Sequence, residues 1–480
     1  MNKNLKQKTT SGLKWSAIEK LTTQFIQLAI MLLLARLLGP TSIGLVGMLA
    51  VFIAIAQVFV DSGFSNALIR KQDRTELDYS TAFIFNIVIS LICYSTLFFS
   101  APFIANFYQQ PTLIELLRTL SLVIIINSFG IIQRTQLTCE MDFKTQAKCS
   151  LISVFFSSIV ALVLAYYEYG PWALVGQSIT FALINTILLN LYSRWHPKLK
   201  FSKDSFNYLF KFGSKLLASS LLDTIYNNIY QIIIGKVFSA KQVGFFTQAN
   251  SLSFIPAQSL TSIIQRVTYP MLSQIQNNKN KFEDIYLLTL KLSSCIVFPI
   301  IMGIAIIAKP LILLILGSEW ANTSELLGIL CIGYMLYPIH AVNLNLLQVK
   351  SRTDLFLKLE IIKKITITII LLLTIPFGLK AICIGIVIQS YIALYLNTIY
   401  TDRLVSLTRK MQLQALLPIW LITMTIALIV WYIAQQIDIT IIQLIVPIVL
   451  MPALYIASIK FFQPKIYSVI FTTILKKNKQ

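Results

Sequence analysis

Acidic side chains are scarce in this 480-residue chain: 19 aspartates and glutamates face 40 lysines and arginines, and charged residues of both signs reach only 12%. Soluble domains carry about 25%. With 56% hydrophobic residues and so little charge, the chain cannot cover its apolar surface in water, and its composition is that of a membrane protein. Histidine is almost missing, at two, and the six cysteines form neither a CxxC pair nor a Cys/His cluster. Cys93, Cys295, Cys331 and Cys383 fall inside apolar stretches and Cys139 and Cys149 in one connector, so neither a metal site nor a disulfide framework is expected. There is no GxxxxGK[ST] loop and no GxGxxG opening a helix, so ATP hydrolysis within this chain is not expected. Large polar loops are also lacking. Glu168, Glu319, Glu325 and Asp438 are isolated acids in short connectors, a poor basis for a glycosyltransferase or polymerase.

What the chain has instead is about fourteen apolar stretches near 20 residues long, each able to cross a bilayer as a helix. Lysine and arginine test that count independently, because they accumulate in cytoplasmic connectors. Placing both ends inside puts most of the 40 in alternate segments, such as Arg70 to Arg74, Arg194 to Lys215 and Lys350 to Lys364. The other face keeps Arg36, Arg118, Lys236, Lys241, Lys309 and Lys380. An even number of crossings with both termini cytoplasmic follows. The net charge of +21 is then explained by topology and anionic head groups, and nucleic acid is not an expected partner. Trp15, Trp172, Trp195, Trp320 and Trp431 fall at expected span ends, where an indole suits the membrane interface. The first apolar stretch is too long for a signal-peptide core and lacks a small-residue cleavage pattern, so it is expected to stay attached.

An internal repeat organises these spans. "ARLLGPTSIGLVGM" from residue 35 lies over "GKVFSAKQVGFFTQ" from 235, matching Gly44 to Gly244. "GPWALV" from 170 lies over "GLKAIC" from 378. The offsets, 200 and 208, imply two six-helix bundles of parallel orientation, over 1–195 and 196–403. Two extra crossings and a basic tail fill 404–480. The fold class is thus an all-α polytopic membrane protein.

Polar residues inside spans are the candidate functional groups, because a mid-membrane charge is costly unless it faces a bundle interior or water. "LLASSLLDTIYNNIYQIIIG", residues 216–235, carries Asp223 near its middle. Ser220, Asp223, Asn227, Tyr230 and Gln231 follow one another by three or four residues or by one and form one stripe, with Ile225 and Ile232 opposite. In the first span Lys20, Gln24 and Gln27 share a face, and in the second Gln57, Asp61 and Ser65 do so. Other readings stay open: Lys20 is near enough to the inner end to snorkel, and Asp61 could be a cap or ion pair. Topology alone could account for Arg266 and Lys291, near the inner ends of their spans. His340, with Asn343 a turn away, reads as an interhelical hydrogen-bonding group or as a proton relay.

The motifs "SGLKWS", "ARLLGPTSIGLVGM", "DSGFSNALI", "MDFK" and "GPWALV" resemble those of the bacterial polysaccharide transporter family, most closely over residues 11–180. That family belongs to the superfamily of multidrug/oligosaccharidyl-lipid/polysaccharide exporters. The resemblance implies a flippase, not an enzyme, of the cytoplasmic (inner) membrane. Its cargo would be an undecaprenyl-pyrophosphate-linked oligosaccharide for O-antigen (lipopolysaccharide), capsule or exopolysaccharide synthesis. It also implies alternating access, no cofactor, an H+ or Na+ gradient as the candidate energy source, and a polysaccharide polymerase and chain-length regulator as partners. On that reading Lys20, Arg266 and Lys291 are candidate inner-side contacts for the pyrophosphate. Asp223 would hold a basic neighbour or titrate. The alternative is a multidrug or cation antiporter of the same superfamily.

Overall fold

The computed structural model describes residues 3–193, 195, 197–198, 200–276, 278–350, 352–402, 408–464 and 466–468, with side chains from Thr22 onward apart from Val267 and Thr353. Among the described residues every regular element is helical. The first half of the chain forms α1 (Lys3–Asp61), α2 (Phe64–Arg70), α3 (Glu76–Tyr108), α4 (Leu113–Leu120), α5 (Leu122–Ser128), α6 (Ile131–Cys139), α7 (Phe143–Tyr166), α8 (Trp172–Tyr192) and α9 (Lys203–Val237). It continues as α10 (Ala240–Gln274), α11 (Lys279–Ile315), α12 (Ala321–Tyr334), α13 (Tyr337–Val349), α14 (Thr353–Thr374), α15 (Leu379–Asp402), α16 (Arg409–Gln435) and α17 (Thr440–Phe462).

Among the described residues ten stretches are long and apolar enough to span a membrane, and the protein is a multi-pass integral membrane protein. One of the ten, Thr22–Arg70, holds the first two expected crossings. The chain folds back within it at Gly39, whose φ of 70° is open to glycine, and Pro40 starts the return helix. The fourth crossing is split into α4, α5 and α6, and the tenth into α12 and α13. Three long helices, α9, α10 and α14, fall outside the ten because Asn, Gln, Ser, Thr or Lys interrupt their apolar residues. Helices of that kind persist in a bilayer only where the polar groups face protein or water.

The repeat is visible in the turns. The return at Gly39–Pro40 corresponds to the break between α9 and α10 at Phe238 and Ser239, 200 residues on. Gly170 and Gly378, the glycines of the second sequence match, have φ of 56° and 91° and precede α8 and α15. Both positions demand a left-handed backbone, which accounts for glycine at each.

Contacts divide the chain into two compact units, Met1–Gly244 and Phe245–Gln480. In the first, α7 and α8 form a hairpin on α1 through Leu34, Ala161, Ala165 and Ala173, small residues that let the backbones approach. A second core joins Phe64, Leu68, Phe83, Ile132, Trp195 and Leu209. The first unit therefore includes α9, which packs on α1, α2 and α3. In the second unit α11 is central, touching α12, α13, α16 and α17. The two extra helices are fixed by polar contacts: Gln412 of α16 donates to Thr401 Oγ1 at 2.8 Å, the Trp420 indole to Tyr391 at 3.0 Å, and Tyr455 of α17 faces Cys295 Sγ at 3.5 Å.

Two of the tryptophans expected at the interface are packed inside instead. Trp195 lies against Tyr79 and Phe83, and Trp320 against Phe245, both almost fully buried. Proximity to a span end does not separate a lipid-facing indole from one that plugs a helix junction. Trp431 is about half exposed, as an interfacial residue should be.

Candidate functional site along α9

Helix α9 runs antiparallel to the return half of α1 and touches it closely at two levels. At one level, which the charge alternation leads one to expect on the inner side, a Cβ at Gly213 would come within 3.0 Å of the Ser62 carbonyl oxygen, and Gly63, at φ 70°, packs back on Gly213. At the outer level Gly235 lies against Met48 and the Tyr108 ring. Just beyond it a Cβ on Gly44 would strike the carbonyl of Ala240, and one on Gly244 the carbonyl of Pro40. The pairs 44/240 and 244/40 interchange under the repeat offset of 200. The contact is therefore reciprocal, like the isologous contact of a two-fold dimer.

Side chains reinforce both ends. Outside, the Lys236 ammonium donates to the Phe107 carbonyl at 2.8 Å and lies 4.6 Å from the centre of its ring. Inside, Arg70 stacks over Phe212 at 4.9 Å and Lys71 over Tyr208 at 5.2 Å. Lys71 also donates to both oxygens of Asp78, at 2.9 and 2.8 Å, and Asp78 is fully buried. The same carboxylate caps α3, accepting from Thr75 N at 2.8 Å and Thr75 Oγ1 at 3.0 Å in a capping box. The backbone of Ser202, just before α9, donates to Thr81 Oγ1 at 3.0 Å.

Between the two levels α9 advances by about 33 Å, close to the ~30 Å hydrocarbon thickness. Asp223 lies about 15 Å along the helix from Gly213, near mid-membrane. At roughly 100° per residue, Ser220, Asn227 and Gln231 share the face of Gly213 and Gly235, with Asp223 at its edge. That face is buried at Leu209, Gly213, Ile234 and Gly235, yet Ser220, Asp223 and Asn227 are exposed and Gln231 is half-buried. A polar stripe thus stays uncovered between two closed ends. Ile225, some 200° around the helix from Asp223, is the lipid-type position.

The remaining candidates are placed as follows. Lys20 lies outside the described side chains. Gln24 is half-buried and Gln27 exposed on the first half of α1. Asp61 is half-buried and accepts from Ser65 Oγ at 2.6 Å, a local contact at the end of α1. Gln57 is turned away from α9 and accepts from Asn127 of α5 at 3.3 Å. Arg266, exposed on α10, and Lys291, half-buried on α11, belong to the second unit. Asp223, Asn227 and Gln231 are brought together by one helix; Asp61 is not part of that face.

The second unit buries polar groups that the sequence reading counted only as topology or left open. His340 faces Ser390 Oγ at 3.1 Å through Nε2 and Asn397 Nδ2 at 3.0 Å through Nδ1. Ser390 donates to the Gly333 carbonyl at 2.9 Å, so its oxygen accepts from Nε2–H and Asn397 donates to Nδ1. Both ring nitrogens are engaged in the neutral form, which ties α12, α13 and α15 together. Tyr286 donates to Asn343 at 2.5 Å beside it. Lys363, only 8% exposed, pairs with Glu360 at 3.0 Å one turn earlier on α14. An apolar cavity of about 440 Å³ lies between α11 and α17, walled by Pro299, Ile300, Gly303, Pro447, Met451 and Ile456 among others.

A multi-pass helical bundle with polar bilayer-length helices and a mid-membrane carboxylate has the architecture of a membrane transporter. The family model described as "Polysaccharide biosynthesis protein" matches residues 33–325, more than half of the chain, and the protein belongs to that family. Curated relatives include the lipopolysaccharide biosynthesis protein WzxC of Escherichia coli K12, 26% identical over 75% of this chain and 74% of its own length. The teichuronic acid biosynthesis protein TuaB of Bacillus subtilis 168 is 27% identical over 72% of each chain. Among solved structures the fold is similar to the lipid II flippase MurJ in an inward closed conformation, with a TM-score of 0.78 at 14% identity, over 94% of this chain and 99% of that one. It is also similar to an inward-facing multidrug resistance MATE family transporter, with a TM-score of 0.65 at 19% identity, over 82% and 99%.

Proposed function

We propose that the protein is a flippase that carries an undecaprenyl-pyrophosphate-linked oligosaccharide from the inner to the outer leaflet of the cytoplasmic membrane, for assembly of a cell-surface polysaccharide. The observation that carries this reading is the uncovered stripe of Ser220, Asp223, Asn227 and Gln231 at mid-membrane depth, in a chain of the polysaccharide biosynthesis family. Amides and hydroxyls match sugar hydroxyls, and the polyprenyl tail can remain in the bilayer. The apolar cavity beside α17 offers a wall for such a chain. Lys20, Arg266 and Lys291 supply cations for the pyrophosphate on the inner side. Alternating access by rocking of the two repeats would present the stripe to each side in turn, with Asp223 as the candidate group coupling the cycle to H+ or Na+.

Deleting the gene is the direct test. Undecaprenyl-linked units should accumulate on the inner leaflet, with surface polysaccharide lost; drug sensitivity with normal glycan would instead establish the antiporter. A second measurement addresses the stripe. In a background without the six native cysteines, Asp223→Cys should react with a membrane-impermeant thiol reagent many-fold faster than Ile225→Cys. Asp223→Asn should insert normally and slow export. Equal labelling at both positions would remove the stripe from the transport path.

A further inference from the structure

A second cavity in the Phe245–Gln480 unit, about 350 Å³, lies where the end of α11 and the start of α12 meet the end of α16 and the start of α17. The charge alternation places this level on the outer face. Ligand pockets run from about 300 to 1,000 Å³, so this one suits a small group, not an oligosaccharide. Its lining is mixed: Lys309, Ser324, Glu325, Trp431, Gln435 and Gln443 stand among alanine, isoleucine and proline. Glu325 is already paired with Lys380 of α15. Lys309 has no carboxylate partner among the described residues, so the pocket has an excess of positive charge. Gln443 spends its amide N–H on the Ile437 carbonyl, which leaves its oxygen as an acceptor.

We propose that this pocket binds the phosphate-bearing head group of an outer-leaflet phospholipid, of the phosphatidylglycerol type. The phosphate sits against the Lys309 ammonium. Gln435 offers both donors and an acceptor to the glycerol hydroxyls, while Ser324, whose hydroxyl donates to the Ala321 carbonyl, and Gln443 offer acceptors. Half-exposed Trp431 borders the acyl region at the interface. The bound lipid fills the junction between the second repeat and the two extra helices, so it serves to hold α16 and α17 in place. An anionic lipid fits better than a zwitterionic one because Glu325 is occupied and no other acid lines the pocket to receive an ammonium.

The test uses the full chain in phosphatidylcholine vesicles that contain ~10 mol% acyl-brominated phosphatidylglycerol, bromine being the fluorescence quencher. Subtracting the spectrum of Trp431→Phe isolates the Trp431 signal. That signal should be quenched several-fold more than the bulk mole fraction dictates, and Lys309→Gln should return it to the bulk level. If Lys309→Gln inserts poorly, unbrominated lipid added to the wild type decides the matter: phosphatidylglycerol should relieve the quenching and phosphatidylcholine should not. Quenching in proportion to mole fraction overturns the proposal. Relief by inorganic phosphate or glycerol phosphate in the medium also overturns it, since the occupant would then be a soluble phosphate. None of these readings depends on glycan export.

Discussion

Alanine at Gly44 or at Gly244 is expected to cost the protein most of its export activity and to lower its melting temperature in detergent. The added Cβ would lie within 3.0 Å of the Ala240 carbonyl in one case and of the Pro40 carbonyl in the other. Both obstacles are backbone, so no rotamer change relieves the clash, and the two segments must move apart. Overpacking of this kind costs about 1–3 kcal/mol. Because the contacts are reciprocal, either substitution separates the same pair of segments. The double variant should therefore lose less than the sum of the two single losses. A cost of about 1–3 kcal/mol lowers the population of the packed contact relative to its separated form by about 5- to 150-fold, and export should fall in each single variant. Gly303→Ala is the control for stability alone, because Gly303 also walls the apolar cavity: nothing lies within 4 Å of its added Cβ, and replacing a helical glycine there should leave stability unchanged or raise it by about 0.5–1 kcal/mol. Normal melting and export in both Gly44→Ala and Gly244→Ala would show that the reciprocal contact is not needed.

That pair of glycines was legible in the sequence as a repeat match, but its meaning was not. Periodicity reveals which residues share a helix face, so the Ser220 to Gln231 stripe could be drawn before any coordinates. The turns at Gly39 and at Gly170 and Gly378 were legible as well, because a glycine beside a repeated motif marks a special backbone. Depth and partnership were not. Lys363 was counted with an inner connector, although it is buried beside Glu360 on α14. Lys71 was one more topology charge, although it holds a buried aspartate. Whether a charge is solvated depends on neighbours remote in the chain, and no local pattern encodes them. The same holds for Gly63 and Gly213: their approach joins segments about 150 residues apart, and neither stretch matches the other.

Loss of the Asp78 carboxylate should have an effect of similar size through electrostatics instead of shape. Asp78→Ala leaves the Lys71 ammonium, whose side chain is only 18% exposed, without its counter-ion, and it removes the carboxylate half of the capping box of α3 while leaving the Thr75 cap on the residue 78 N–H. Breaking a buried pair from one side costs about 3–5 kcal/mol, and losing the carboxylate half of the capping box adds less than the ~1 kcal/mol of a whole N-terminal cap. Asp78→Asn keeps an acceptor for Thr75 and should lose less. Lys71→Met spares the capping box but strands the carboxylate with only its Thr75 and Ser205 donors, so it should fall between the two. In the Asp78→Ala background, Lys71→Met should be close to neutral or recover stability, because the unpaired cation is then gone. Melting temperatures of the four proteins close a double-mutant cycle, and the coupling should exceed ~1 kcal/mol. The inner end of α9 packs on this corner through Phe212 and Tyr208, so limited trypsin digestion at Lys203 and Lys211 should quicken in Asp78→Ala. Additive changes, or an unchanged digestion rate, would mean that the Lys71–Asp78 pair does not stabilise this corner and that the inner end of α9 is held by its other contacts, among them Gly63–Gly213, Arg70–Phe212 and Ser202–Thr81.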